Sequence, residues 1–247
     1  MPLGDREGAV SYEAEPGDLP VVAPLYLRGI GDGVYLLTSG PSYVEVFLFF
    51  CGGSMNNENE IVLVLGGARS GKSAFAEKYV LHAGAKVSYI ATAEVLDDEM
   101  ANRVQYHRAR RNNGRWFNYE APYDAAATIL EAAKKGEAIL FDCLTVYLSN
   151  LIYGKDAPEE FNAKYDYAYK EIAKLLKAAR EVDVPVVFVS NEVGAGIVPA
   201  TPIGREYRDI AGWVNQQVAK EADKVYYVIA GQAVDVKKMA YKFEDTK

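Results

Sequence analysis

Ile61-Val62-Leu63-Val64-Leu65-Gly66-Gly67-Ala68-Arg69-Ser70-Gly71-Lys72-Ser73 decides the fold of this chain. An apolar run of strand length ends in a loop that satisfies G-x-x-x-x-G-K-[ST], and a stretch with helical pattern follows over residues 72–82. The chemistry needs these residue types. Gly66, Gly67 and Gly71 let the backbone turn tightly enough for its N–H groups to converge on an anion at a helix N-terminus. Ala68, Arg69 and Ser70 complete the turn. Lys72 is placed to reach the β- and γ-phosphates of a nucleoside triphosphate, and the Ser73 hydroxyl to ligate Mg²⁺. A metal-side acid should end a neighbouring buried strand, and Asp142 does so after Ala138-Ile139-Leu140-Phe141. Asp142 also reads as a cap for a helix starting at Thr145, and the two roles are compatible.

Outward from this loop, short apolar runs alternate with helical stretches. The runs cover residues 61–65, 87–91, 138–141, 184–189 and 225–229, nearly continuous in Val, Ile, Leu, Phe and Tyr, as strands buried on both faces require. Helical patterns cover 72–82, 97–111, 123–135, 145–153, 158–181 and 205–222. Strand then helix, repeated, predicts an α/β domain: a mostly parallel sheet with helices on both faces, in one domain spanning 55–247.

Residues 1–54 differ in character. They contain no lysine, Gly and Pro recur in them, and only 34–37 and 44–50 have the apolar runs for a short hairpin. This segment is expected to be poorly ordered, or to precede a natural translation start at Met55.

Composition narrows the function classes. A formal charge of −7 argues against a general nucleic-acid partner, which shows a clustered basic surface. No apolar run approaches the roughly 18–20 residues that span a bilayer. Asp5, Glu7, Glu13 and Glu15 stand where a secretory signal needs positive charge. Cys51 and Cys143 are too few and too far apart for a disulfide framework or a metal knuckle, so a reducing cytoplasm is expected.

A second constellation lies in the stretch opened by Asp97-Asp98-Glu99, whose acids suit a helix N-terminus. Glu99, Arg103, His107 and Arg111 follow at i+4 spacing, with Arg110 adjoining the same face. Guanidinium groups around an imidazole disfavour its protonation, keep it nucleophilic and attract a polyphosphate. A neutral imidazole can attack an α-phosphate and carry the nucleotide covalently. On a helix, a histidine also serves as a packing or surface residue. His82, near Ala83-Gly84, reads as a cation at a helix C-terminus.

From Ile61 to about Asp235 the chain resembles the bifunctional adenosylcobinamide kinase/adenosylcobinamide-phosphate guanylyltransferase family of cobalamin biosynthesis. The resemblance is carried by Gly66–Ser73, by Tyr89-Ile90-Ala91-Thr92-Ala93, and by Asp97-Asp98-Glu99-Met100 with Arg103 and His107-Arg108. More specific still are Asn191-Glu192-Val193-Gly194-Ala195-Gly196-Ile197-Val198-Pro199 and Arg208-Asp209-Ile210-Ala211-Gly212-Trp213-Val214-Asn215-Gln216. The resemblance implies a RecA-like fold assembled as a homotrimer, and two sequential reactions. The aminopropanol hydroxyl of adenosylcobinamide is phosphorylated from ATP or GTP. GMP from GTP is then transferred to that phosphate, giving adenosylcobinamide-GDP and pyrophosphate. In the family a histidine carries GMP, and His107 holds the matching position; Tyr106 stands where some relatives have a second histidine. The family's nucleotide contacts fall on Gly66–Ser73, on Ala91, Thr92 and Ala93, on Arg108, Ala109, Arg110 and Arg111, and on Glu120 and Asp142. Glu120 suits a carboxylate accepting from guanine N1–H and N2–H₂, and from sequence alone reads equally as a loop acid.

The Asn191–Pro199 block reads as a strand end and glycine-flexed loop at the carboxyl edge of the sheet, where Asn191 and Glu192 would hold Mg²⁺ or substrate or simply form a turn. Gly212 suggests close backbone packing, and with Arg208, Asp209, Asn215 and Gln216 a subunit contact. Two readings compete. A monofunctional small-molecule kinase leaves the arginine-flanked His107 unexplained. An NTP-driven switch lacks the N-K-x-D element of guanine-specific switches, and a motor acting on nucleic acid is disfavoured by the acidic balance.

Overall fold

A computed structural model describes residues 59–94 and 114–241 in full, and the backbone of three short strands between residues 26 and 48. The chain divides into two compact units, Met1–Asn56 and Asn57–Lys247. In the first, β1 (Tyr26–Gly29), β2 (Tyr35–Thr38) and β3 (Val46–Leu48) form an antiparallel meander, with Tyr26 opposite Thr38 and Tyr35 opposite Leu48. Its second and third strands fall on the two apolar runs that suggested a hairpin.

The second unit is built on a seven-stranded sheet. Its strands are β4 (Ile61–Gly66), β5 (Val87–Ala91), β6 (Trp116–Glu120), β7 (Ile139–Asp142), β8 (Val186–Asn191), β9 (Lys224–Ile229) and β10 (Gln232–Asp235). The order across the sheet is β10-β9-β4-β8-β7-β5-β6, parallel throughout except for β10, which runs antiparallel to β9. The helices are α1 (Lys72–Ala83), α2 (Ala125–Ala132), α3 (Leu144–Tyr153), α4 (Phe161–Glu181), α5 (Pro202–Glu221) and the short α6 (Val236–Met239). The helix expected over 97–111 lies outside the described residues.

Alternation along each strand explains why the central runs are apolar throughout. Ile61 and Leu63 point to a core shared with α2 to α5, while Val62 and Val64 point to a second core against Ala76 and Val80 of α1. Ile139 and Phe141 repeat the pattern on β7 with Leu140 opposed, as does Phe188 on β8 between Val187 and Val189. The ten strand residues among these are fully buried, each contributing about 1.5–3 kcal/mol relative to exposure. Phe141 packs edge-on against Tyr147 and Phe188, with ring centroids 5.6 and 5.3 Å apart, locking α3 and β8 to the centre of the sheet.

The five strands and the remaining helices expected from sequence are all present, with shifted ends. Helix α5 begins at Pro202 rather than residue 205, because Thr201 Oγ1 accepts from Gly204 N (3.1 Å) and Pro202 fills the first turn. Besides β1, two strands were not foreseen. Strand β6 is an edge, with Asn118 and Glu120 exposed, so it has no continuous apolar run. Strand β10, also an edge, follows a turn in which Ala230 and Gly231 both have positive φ. Among the described residues, no helix is long and apolar enough to cross a membrane.

Candidate nucleotide site

Because β4 to β8 run in the same direction, their carboxyl ends converge. Gly66 pairs with Asn191, and Ala91 lies opposite both Asp142 and Glu120. The phosphate loop, the 91–93 segment, Asp142, Glu120 and the start of the 191–199 block thus share one edge. This is where ligands bind in open α/β sheets.

The loop's glycines are there for space and sign of φ. A Cβ on Gly66 would lie 2.5 Å from Ser70 Oγ and 2.6 Å from the carbonyl oxygen of Val228. Gly71 enters α1 at φ +94°, and a Cβ there would lie 3.0 Å from Gly231 Cα. Arg69 also adopts a left-handed conformation, at φ 57°. The β9–β10 turn holds the loop in place, with Gly231 N donating to Ser70 O (2.8 Å). Ser70 N donates to Gly67 O (3.3 Å), and Glu192 N donates to Gly66 O (3.1 Å). Lys72 folds back so that Nζ donates to Gly67 O (3.3 Å), which keeps the ammonium at the mouth of the loop. Ser73 occupies the second position of α1, partly buried.

Asp142 ends β7, as its sequence position suggested, and the Asp142–Cys143 peptide is cis. The N-cap position of α3 is taken by Cys143 rather than Asp142, which stands one residue before it, and the Cys143 side chain makes no cap bond. Burial, and then the charge of Asp142, push the Cys143 thiol above its ordinary pKa; Thr145, the backbone of Val146 and Lys72 pull the other way. A thiol so placed is not a ready nucleophile. Glu120 is exposed at the end of the edge strand, closing the row on one side. His107, Arg108, Ala109, Arg110 and Arg111 lie outside the described residues.

Thr92 differs from expectation. It is fully buried, and all its polar groups are engaged within the protein. Of the residues it engages, Asn150 was not singled out by sequence. Asn150 reaches from α3 to the carbonyls of Thr92 (2.8 Å) and Pro122 (3.1 Å). Tyr207 donates its hydroxyl to Thr145 O (2.8 Å), and its pKa is raised by burial and by the Cys143 charge. Asn215 is buried rather than displayed for a subunit contact: Ser190 Oγ donates to its Oδ1 (2.7 Å), and its Nδ2 donates to Asn191 O (3.2 Å). Gly212 has open space where a Cβ would stand, so the close packing read from it is not found among the described residues. Glu192 turns back on its own loop, accepting from Gly194 N (2.5 Å) and Ala195 N (3.0 Å).

The donor set suits a small hard cation. A serine hydroxyl and one strand-end carboxylate, beside a cradle for phosphate oxygens, match how Mg²⁺ binds with nucleotide while keeping several waters. Among the described residues there is no cluster of three or more His, Cys, Asp or Glu that would hold a metal without nucleotide.

Residues 62–236 match the model of the family described as cobinamide kinase / cobinamide phosphate guanyltransferase. The chain is 40% identical over 175 residues to the bifunctional adenosylcobalamin biosynthesis protein CobP of Pseudomonas aeruginosa, covering 71% of this chain and 96% of that protein. It is 41% identical over 186 residues to the protein CobU of Salmonella typhimurium, and 41% identical over 182 residues to CobU of Escherichia coli. Each match covers 72% of this chain and 99% of the relative.

Proposed function

Since this chain belongs to the cobinamide kinase / cobinamide phosphate guanyltransferase family, we propose a division of labour within one site for its two reactions. In the kinase reaction the hydroxyl of adenosylcobinamide attacks the γ-phosphorus of ATP or GTP. The β–γ bridging P–O bond breaks, and the nucleoside diphosphate leaves. Gly66 to Ser73 hold the triphosphate through backbone N–H groups, and Lys72 swings from Gly67 O to the phosphates, offsetting charge on the oxygens in flight. Ser73 and Asp142 are the residues that would hold Mg²⁺, which when bound would supply neutralisation of phosphate charge.

In the guanylyltransferase reaction an imidazole nitrogen of His107 attacks the α-phosphorus of GTP, the α–β P–O bond breaks and pyrophosphate leaves. An oxygen of adenosylcobinamide phosphate then attacks the same phosphorus, the P–N bond breaks, and adenosylcobinamide-GDP forms. Arg108, Arg110 and Arg111 would bind the phosphates, with the backbone at Ala109, while Ala91, Ala93 and Glu120 face the nucleotide from the neighbouring strand ends. Glu120 would accept from guanine N1–H and N2–H₂.

The observation that carries this reading is the convergence of the phosphate loop and Asp142 at one sheet edge, with Lys72 already at the mouth. The catalytic region is residues 55–247, with 1–54 an extension ahead of the family match at residue 62. A RecA-like arrangement, a homotrimer and a cytoplasmic location complete the proposal. Incubation with adenosylcobinamide, GTP and Mg²⁺ should give adenosylcobinamide phosphate first and adenosylcobinamide-GDP later. Lys72→Ala should remove the first product, yet still convert supplied adenosylcobinamide phosphate to the second at a measurable rate. Wild-type protein that phosphorylates other alcohols and never adenosylcobinamide would end this reading.

A further inference from the structure

Thr92 stands where a direct nucleotide contact is expected, yet it is fully buried and each of its polar groups is already engaged within the protein. Its N–H donates to Asp142 O (3.3 Å) and its carbonyl accepts from Asn150 Nδ2 (2.8 Å). Its hydroxyl accepts from Cys143 N (2.9 Å) and donates to Cys143 O (2.9 Å). Three of these four bonds therefore land on the backbone of Asp142 and Cys143. The residue is fully buried, so none of them is exchanged cheaply for water.

The same turn is gripped from the opposite side. Asn191 Nδ2, at the end of β8, donates to Thr145 Oγ1 (2.9 Å), which lies 3.0 Å from Cys143 Sγ. Asn191 is itself held, since its carbonyl accepts from Asn215 Nδ2, and Asn215 is fixed by Ser190. The segment carrying Asp142 is thus clamped between the ends of β5 and β8, the strands on either side of β7. A carboxylate at a strand end is carried on two rotatable side-chain bonds, and its aim depends on the backbone from which they start.

We propose that Thr92 is a positioning residue: it touches no nucleotide, and sets the backbone of Asp142 and Cys143 so that the Asp142 carboxylate serves the metal side of the phosphate loop, with Asn191 and Thr145 as the second arm of the clamp. This rests on the reading of Asp142 as the metal-side acid. Thr92→Val keeps the shape and deletes the hydroxyl; Thr92→Ser keeps the hydroxyl.

The test is the affinity of the full chain for a non-hydrolysable GTP analogue, measured by calorimetry with Mg²⁺ and again with EDTA. A misdirected metal-side acid weakens only the metal-dependent part of binding. Thr92→Val is expected to cut the ratio of the two affinities on the order of tenfold while the EDTA affinity stays within about twofold, a 1.4 kcal/mol effect confined to one condition. Thr92→Ser should restore the ratio. Weakening of both affinities by the same factor would make Thr92 a direct contact and overturn the proposal, as would an unchanged ratio. If Thr92→Val does not fold, Thr145→Val and Asn191→Ala probe the other arm with the same expected and contrary results. Asp142→Asn runs alongside: an unchanged ratio there refutes the role of Asp142 itself, whereas a reduced ratio with no effect of Thr92→Val refutes only the clamp.

Discussion

Replacing Gly66 by alanine tests the geometry of the phosphate loop more sharply than removing a charge. The new Cβ would sit 2.5 Å from Ser70 Oγ and 2.6 Å from the Val228 carbonyl, against 3.4 Å for the start of ordinary contact. Ser70 can rotate away. Val228 belongs to β9, pairs with Ala233 of β10 and directly follows Tyr227, the last β9 residue paired with β4, so its carbonyl cannot yield without disturbing β9. The start of the loop must instead move by about 0.8 Å, the difference between 3.4 and 2.6 Å. Overpacking of this kind costs about 1–3 kcal/mol, which for a unit of this size lowers Tm by roughly 2–4 °C per kcal/mol. The same shift carries an N–H···O bond of about 2.9 Å beyond useful range. Loss of one charge-assisted bond to phosphate is about 1.5–3 kcal/mol, so affinity for a non-hydrolysable GTP analogue should fall roughly 10- to 100-fold. Calorimetric titration and thermal melting read both effects. A Gly66→Ala protein with wild-type affinity and an unchanged Tm would refute the steric argument.

Two further predictions concern the frame around the site. Asn215→Leu strands the Ser190 hydroxyl and the Asn191 carbonyl, and should cost about 2–4 kcal/mol in chemical denaturation; adding Ser190→Ala should recover part of this, since removing both partners of a buried bond is far cheaper than removing one. No recovery would mean that Ser190 was not the orphaned group. Asp223 is held below its usual range despite the opposing effect of burial, because Arg180 donates to both its oxygens (2.6 and 3.1 Å) and Ile61 N donates as well (2.7 Å). A carboxyl with a depressed folded pKa adds stability that is present above its unfolded value, about 3.9, and is lost as pH falls through the folded one. The gap in Tm between wild type and Asp223→Asn should therefore be level above about pH 5 and close below about pH 4; a gap independent of pH would contradict the linkage. Because the pair is partly exposed, the gap should also shrink in salt.

What the sequence made legible follows burial. Strands β4, β5, β7, β8 and β9 announced themselves because both faces of the sheet are covered, so every side chain along most of their length must be apolar. The edge strands β6 and β10 escaped because half of their residues meet water and mimic a loop. In the site, the phosphate loop was readable since its glycines and lysine are contiguous and each type answers a local demand of conformation or charge. The place of Asp142 in the fold was readable because it follows an apolar run of strand length. The clamp was not: Thr92 and Cys143 are 51 residues apart, Asn191 and Thr145 46, and Ser190 and Asn215 25, and only the sheet order brings them together. Their types, Thr, Ser and Asn, are as common in turns as in networks, so no local pattern distinguishes them.

The central claim is that one chain uses its phosphate loop for γ-phosphoryl transfer and His107 for the α-phosphate of GTP. Its most direct measurement is the covalent label left after incubation with α-labelled GTP and Mg²⁺. Wild-type protein should carry acid-labile, base-stable label that chases onto adenosylcobinamide phosphate. His107→Ala should carry none while still phosphorylating adenosylcobinamide. Full labelling of His107→Ala would contradict the account.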